Sequence, residues 1–300
     1  MRRQFQGYAL LTAAMVTVGS TVVASKIIGA GMPAFTATAL RFAIAFPVFL
    51  VMMRLTGASW PRLTRREWII LLIQAGAGSV GYTALLISGM RLTSAADAAV
   101  ILGTLPVVAA TISIVVLGER PQPALLLALA LALLGVLSIA AQPQAGGSRS
   151  LTGNALVFAA VVCESLFILL NKRIRTEIAP LALSSIMTGM GLAIAIVPAL
   201  LLEAPWSIGM PASALGAVAY YAIVPTVGGF VLWYAGSERV SGTEASLFTA
   251  VAPVSAVLFA VMLIGESVRL SQWLGIGCVL AAVIGMACVP PPRRGESGVG

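Results

Sequence analysis

Among 300 residues there is no histidine, and cysteine occurs three times, at Cys163, Cys278 and Cys288, each inside an apolar stretch. That scarcity argues against a disulfide framework and leaves no ligand set for a metal. No cofactor is expected. No G-x-x-x-x-G-K-[ST] run occurs either, which removes the phosphate cradle of an ATP-driven pump. Charge is the largest deficit: Asp, Glu, Lys and Arg make up 9% of the chain, against about 25% in an ordinary globular protein. Hydrophobic residues reach 59% and mean hydropathy is +1.02, which places the chain in a lipid bilayer. The net charge of +8 would suggest nucleic acid in a soluble protein. Here the basic residues sit in short loops between apolar runs, where membrane orientation accounts for them, and no nucleic-acid partner is expected.

What is abundant is apolar sequence in lengths that match a bilayer. Runs of roughly 20 apolar residues, broken at charges and Gly/Pro clusters, predict ten spanning helices near 7–28, 34–53, 68–90, 94–117, 122–141, 153–172, 180–202, 212–236, 242–264 and 271–289. The fold class is therefore an all-α membrane protein. Arg2 and Arg3 precede the first run as in a signal peptide, but no small-residue cleavage site stands out, so the run is read as the first helix. Thirteen Lys and Arg fall on one side of the predicted membrane, among them Arg54, Arg62, Arg65, Arg66, Arg120, Lys172, Arg173, Arg239, Arg293 and Arg294. The other side holds Lys26, Arg91, Arg149 and Arg269, and Arg41 lies within a span. Positive loops stay in the cytoplasm, so both termini are expected there, in a bacterial inner membrane.

The chain also repeats itself. Residues 94–119, SAADAAVILGTLPVVAATISIVVLGE, align without a gap on residues 241–266, SGTEASLFTAVAPVSAVLFAVMLIGE, at an offset of 147. Pro106 falls on Pro253, Gly118-Glu119 on Gly265-Glu266, and Asp97 on Glu244. The same offset carries Gly81 to Gly228 and Gly89 to Gly236. Two units follow, 1–146 and 147–300, each with five predicted spans. Five is odd, so the second unit enters the membrane from the opposite face, and the two form an inverted pair whose exchange of conformations gives alternating access.

The Leu40-Arg41-Phe42 of span two, the Ser-Ala-Ala and Ser-Gly-Thr openings of spans four and nine, Pro106, Pro253 and the Gly-Glu closings resemble EamA-type members of the drug/metabolite transporter superfamily. The resemblance covers the whole chain and implies a ten-helix carrier of a small molecule. Length and the aromatic-rich eighth span are most similar to bacterial exporters of aromatic and other amino acids, some of which move methyl viologen. Carriers of nucleotide sugars or purines are the alternative cargo class. An integral membrane enzyme is the rival from another class, and no metal set, nucleophile or acid pair supports it; no enzymatic activity is expected.

Charges inside a bilayer cost roughly 2.5 to 3.5 kcal/mol each at a helix centre, so each needs a reason. Glu164 lies eleven residues into span six, about 16 Å deep, and Arg41 seven residues into span two, about 10 Å deep. Their repeat equivalents, Val18 and Met187 or Thr188, carry no charge. An amino-acid zwitterion needs a cation for its carboxylate and an anion for its ammonium, and this pair would supply both. The two side chains pairing with each other, Arg41 serving the fold, and Glu164 taking up a proton are the other readings. Tyr82, Tyr221, Phe230 and Trp233 would line the cavity, stacking aromatic cargo or a cation, although an interfacial belt also explains aromatics near span ends. Pro106 and Pro253 would act as hinges. Asp97 and Glu244 read as helix caps, Glu119 and Glu266 as interfacial or paired with Arg120 or Arg269, and Lys26 and Lys172 as snorkelling. Gly76-Ala77-Gly78-Ser79-Val80-Gly81 matches a dinucleotide fingerprint but lies inside a span, so close helix packing is the reading. Gly277, Ala281 and Gly285 form a small-residue stripe on span ten, a candidate homodimer contact.

Overall fold

The computed structural model describes residues 2–105, 107–109, 111–112, 127, 130–131, 134, 150–171, 173–174, 176–207, 209–237, 239, 248 and 251–288. Pro106, Glu119, Arg120, Lys172, Glu244 and most of predicted span five fall outside these residues. Among the described residues every regular element is helical: α1 (Arg2–Gly31), α2 (Ala34–Thr56), α3 (Arg65–Met90), α4 (Ala95–Gly103), α5 (Leu151–Asn171), α6 (Pro180–Leu202), α7 (Ala212–Gly236), α8 (Val251–Ile264) and α9 (Leu270–Cys288).

Six of these, α1, α2, α3, α5, α6 and α7, are long and apolar enough to cross a membrane. Their ends fall within a few residues of predicted spans one, two, three, six, seven and eight, because each apolar run stops where charge, proline or glycine begins. Thr64 and Glu67 form a capping box at the start of α3. Gly57, at φ +69°, closes α2 in the left-handed conformation that glycine tolerates best. Outward-facing Leu200, Leu201, Leu202, Ile69, Leu72 and Ile73 are exposed, as lipid-facing side chains must be in a chain this apolar.

Helix ends are tied across the two halves of the chain by carboxylates. Glu203, just past α6, accepts from the backbone N–H groups of Phe35 (3.0 Å) and Thr36 (2.6 Å), capping α2. Glu266 does the same for α4 through Ala95 (3.1 Å) and Ala96 (3.2 Å), and it pairs with Lys26 at 2.7 Å. Gly265, at φ +65°, ends α8, and the Glu266 N–H reaches back to the Ala260 carbonyl at 3.2 Å. This left-handed glycine closure explains the Gly-Glu motif: the glycine turns the chain and the acid is thrown onto the start of α4. Glu266 therefore pairs with Lys26 and not with Arg269, and Lys26 does not simply snorkel, since it also donates to the Thr93 carbonyl at 3.1 Å. Asp97 is corrected likewise. Ser94 is the cap, accepting from the Asp97 N–H at 3.0 Å, while the buried Asp97 carboxylate takes the Gln272 amide of α9 at 2.7 Å.

Candidate functional site

Two helices depart from α geometry, and they do so at repeat-equivalent places. Ala75–Gly81 in α3 and Ala222–Gly228 in α7 are π-helical, each seven residues long. Their first and last residues are related by the same offset of 147 that relates the two halves of the sequence. π-turns inside α-helices are uncommon and recur at functional sites. In α7 the cause is visible. Pro225 has no N–H to give the carbonyl of Tyr221 four residues earlier, and the Thr226 hydroxyl donates to that carbonyl instead, at 2.8 Å. In α3 small residues permit the wide turn: a Cβ on Gly81 would stand 3.2 Å from the Gly76 carbonyl oxygen. The stretch that mimics a dinucleotide loop is thus a π-turn as well as a packing surface.

Close packing at Gly78 brings in the helix that carries Glu164. A Cβ there would lie 2.3 Å from Cβ of Phe167, so only glycine lets α5 come this near. Gln74 Nε2 fixes the approach by donating to the Phe167 carbonyl at 3.2 Å. Glu164 is one turn from Phe167 on α5 and so shares its face.

Arg41 of α2 sits where these elements meet. Its Nε donates to Thr226 Oγ1 at 2.9 Å and its Nη1 to Thr83 Oγ1 at 2.6 Å. The guanidinium carbon lies 4.4 Å from the Tyr221 ring centroid and 4.7 Å from that of Phe42, within cation–π range of both. The residue is 9% exposed. The charges of Arg41 and Glu164 act on one another, yet among the described residues they form no salt bridge. Glu164 is only half-buried and makes no hydrogen bond to a described residue. An ionised carboxylate in apolar surroundings without partners is costly.

The other expected residues divide. Tyr221 stacks directly on Arg41. Tyr82 is in electrostatic reach of Arg41 and Glu164, its hydroxyl facing Thr21 of α1. Phe230 stacks on Tyr234 with ring centroids 6.1 Å apart and lies 6.3 Å from the Phe49 ring. Trp233 is half-buried. Pro253 is buried in α8. Sequence reasoning missed Thr83, Thr226 and the acceptor roles they fill. The available signal was the Pro225-Thr226 pair in mid-span opposite the glycine-rich stretch of α3.

A family model described as the EamA-like transporter family matches residues 5–141 and again residues 151–288. The uncharacterized transporter YetK of Bacillus subtilis is 31% identical over 287 residues, covering 94% of this chain and 87% of its own. The uncharacterized transporter YyaM of the same organism is 25% identical over 282 residues, 92% of each chain. A solved crystal structure aligns over 95% of this chain and 96% of its own at a TM-score of 0.63 and 23% sequence identity, a likeness of fold alone.

Proposed function

We propose, from the premise that this chain belongs to the EamA-like transporter family, that it is a secondary transporter exporting amino acids, aromatic ones among them, across a bacterial cell membrane. The architecture in this reading is ten spans in two inverted units of five, with both termini cytoplasmic. Two successive matches to one family model and two π-turns at one offset support the repeat. Lys and Arg asymmetry supports the orientation.

The observation that carries the cargo assignment is the Arg41–Glu164 arrangement. A buried guanidinium held flat on Tyr221, with a half-buried carboxylate in charge reach but not paired to it, leaves both ends of the dipole to be completed by something else. An α-amino acid completes both: its carboxylate meets Arg41 and its ammonium meets Glu164. The neighbouring Tyr82 and Tyr221 rings favour a flat or aromatic side chain. Because no nucleotide-binding motif is present, a gradient or the cargo itself supplies the energy. Alternating exposure of this cluster to the two faces would then carry the cargo out.

The test is uptake of radiolabelled amino acids into proteoliposomes of the purified protein, with and without a proton gradient. Arg41→Ala and Glu164→Gln are each expected to cut the initial rate at least tenfold, the scale of one lost charge-assisted contact, while eluting as folded protein. Retained transport in both variants overturns the assignment.

A further inference from the structure

Thr83 and Thr226 stand in the same relation to Arg41, one from each half of the chain. Each hydroxyl has one proton to give, and each gives it to a backbone carbonyl: Thr83 to Ser79 at 2.8 Å, Thr226 to Tyr221 at 2.8 Å. With the proton placed, the oxygen can only accept, and in both cases the donor is Arg41. Two fixed acceptors on Nε and Nη1 set the rotation of the guanidinium in its own plane. The Tyr221 and Phe42 rings set the plane itself. No hydrogen bond from Nη2 to a described residue is present.

We infer that Thr83 and Thr226 are positioning residues that lock the Arg41 guanidinium and aim its Nη2 edge at a carboxylate, and that the paired π-turns exist to place them. The inference deepens the cargo reading above and rests on it only in taking Arg41 as the anion contact. The π-turn of α7 is required because Thr226 reaches the Tyr221 carbonyl five residues back, and the register shift swings its oxygen toward α2. In α3, Thr83 stands two residues past the π-turn and bonds the carbonyl of Ser79 within it, four residues back. A planar five-donor fork is what such a clamp suits; a lysine ammonium has no plane to lock. The arrangement also joins the two halves through one side chain, so an anion on Arg41 is felt by both π-turns at once.

The experiment is equilibrium binding of sodium benzoate to the purified full-length protein, with benzamide as the neutral isostere. Benzoate has a carboxylate and no ammonium, so it reports on this clamp without asking whether amino acids are cargo. Wild type is expected to bind benzoate in preference to benzamide. Thr83→Val and Thr226→Val, which keep the shape and remove the acceptor, should each weaken benzoate at least fivefold and leave benzamide unchanged. Thr83→Ser and Thr226→Ser should restore it to within about twofold, a rescue that a merely structural role for the methyl group would not give. Arg41→Lys, which keeps the charge, should lose the preference even if both valine variants fail to fold. Equal benzoate affinity in wild type and folded valine variants overturns the positioning role, as does an Arg41→Lys variant that keeps the preference. A wild type indifferent to benzoate overturns the clamp whether or not amino acids cross. Benzoate binding with valine and serine variants behaving as expected, but without amino-acid transport, leaves the clamp standing and overturns the cargo reading.

Discussion

Among the described residues, carboxylates divide by whether they have partners. Glu266 accepts two backbone N–H groups at the start of α4 and pairs with Lys26, and Glu203 accepts two N–H groups and a hydroxyl at the start of α2. Glu164 has no such set among the described residues. Removing Glu266 strands a lysine and uncaps a helix, so Glu266→Ala is expected to cost about 2 kcal/mol, discounted because its pair with Lys26 is partly solvated. Glu164→Gln keeps the shape and breaks no hydrogen bond or salt bridge to a described residue, and its stability should stay within about 0.5 kcal/mol of wild type. Thermal unfolding of both variants in detergent checks the contrast, and an equal loss in the two contradicts it. Arg41 and Glu164 were legible in the sequence because a lone charge in an apolar run stands out. Thr83 and Thr226 were not, because hydroxyl residues are scattered through every span and only the fold selects the two that meet a guanidinium. Glu266 was visible as a motif but not as a cap, since its partner, the N-terminus of α4, is 170 residues away in the chain.

Helix existence was readable from apolar runs of bilayer length, and the six long helices match six of the predicted spans. Internal geometry was harder to read. The proline expectation looked to Pro106 and Pro253; the helix of span four does break at Thr104, two residues before Pro106, while the π-turns sit in α3 and α7, one of them without any proline. A π-turn follows from where carbonyls find donors and from how close a neighbour comes, and neither is written in one span alone. The glycine-rich run of α3 carries both effects. Gly78→Ala places a methyl 2.3 Å from Phe167 Cβ, an atom tied to its backbone that cannot swing aside. The variant is expected to lose about 1–3 kcal/mol by overpacking. Gly277→Ala on α9 meets nothing within 4 Å and should be neutral or slightly stabilising through helix propensity. Comparing the unfolding midpoints of the two variants tests whether α5 is held at Gly78; equal midpoints would contradict it.

For the whole molecule, the sequence repeat and the paired π-turns describe one thing at two levels. The 147-residue offset that aligns prolines and Gly-Glu pairs also aligns two helical irregularities that no composition measure reports. In the proposed inverted arrangement the scaffold is symmetric and the charges are not: Arg41 and Glu164 have no charged counterparts, and the two threonines that accept from Arg41, one from each half, are not repeat equivalents either. Family membership fixes the class as transporter. The proposed cargo reads that broken symmetry as the complement of a zwitterion. Competition against labelled phenylalanine in counterflow proteoliposomes tests this most directly, with unlabelled phenylalanine, phenylalaninamide and 3-phenylpropionate as competitors. The account predicts that phenylalanine competes fully, while the amide, which lacks the carboxylate, and the propionate, which lacks the ammonium, each compete at least tenfold more weakly. Equal competition by all three, or no counterflow of phenylalanine at all, would contradict it.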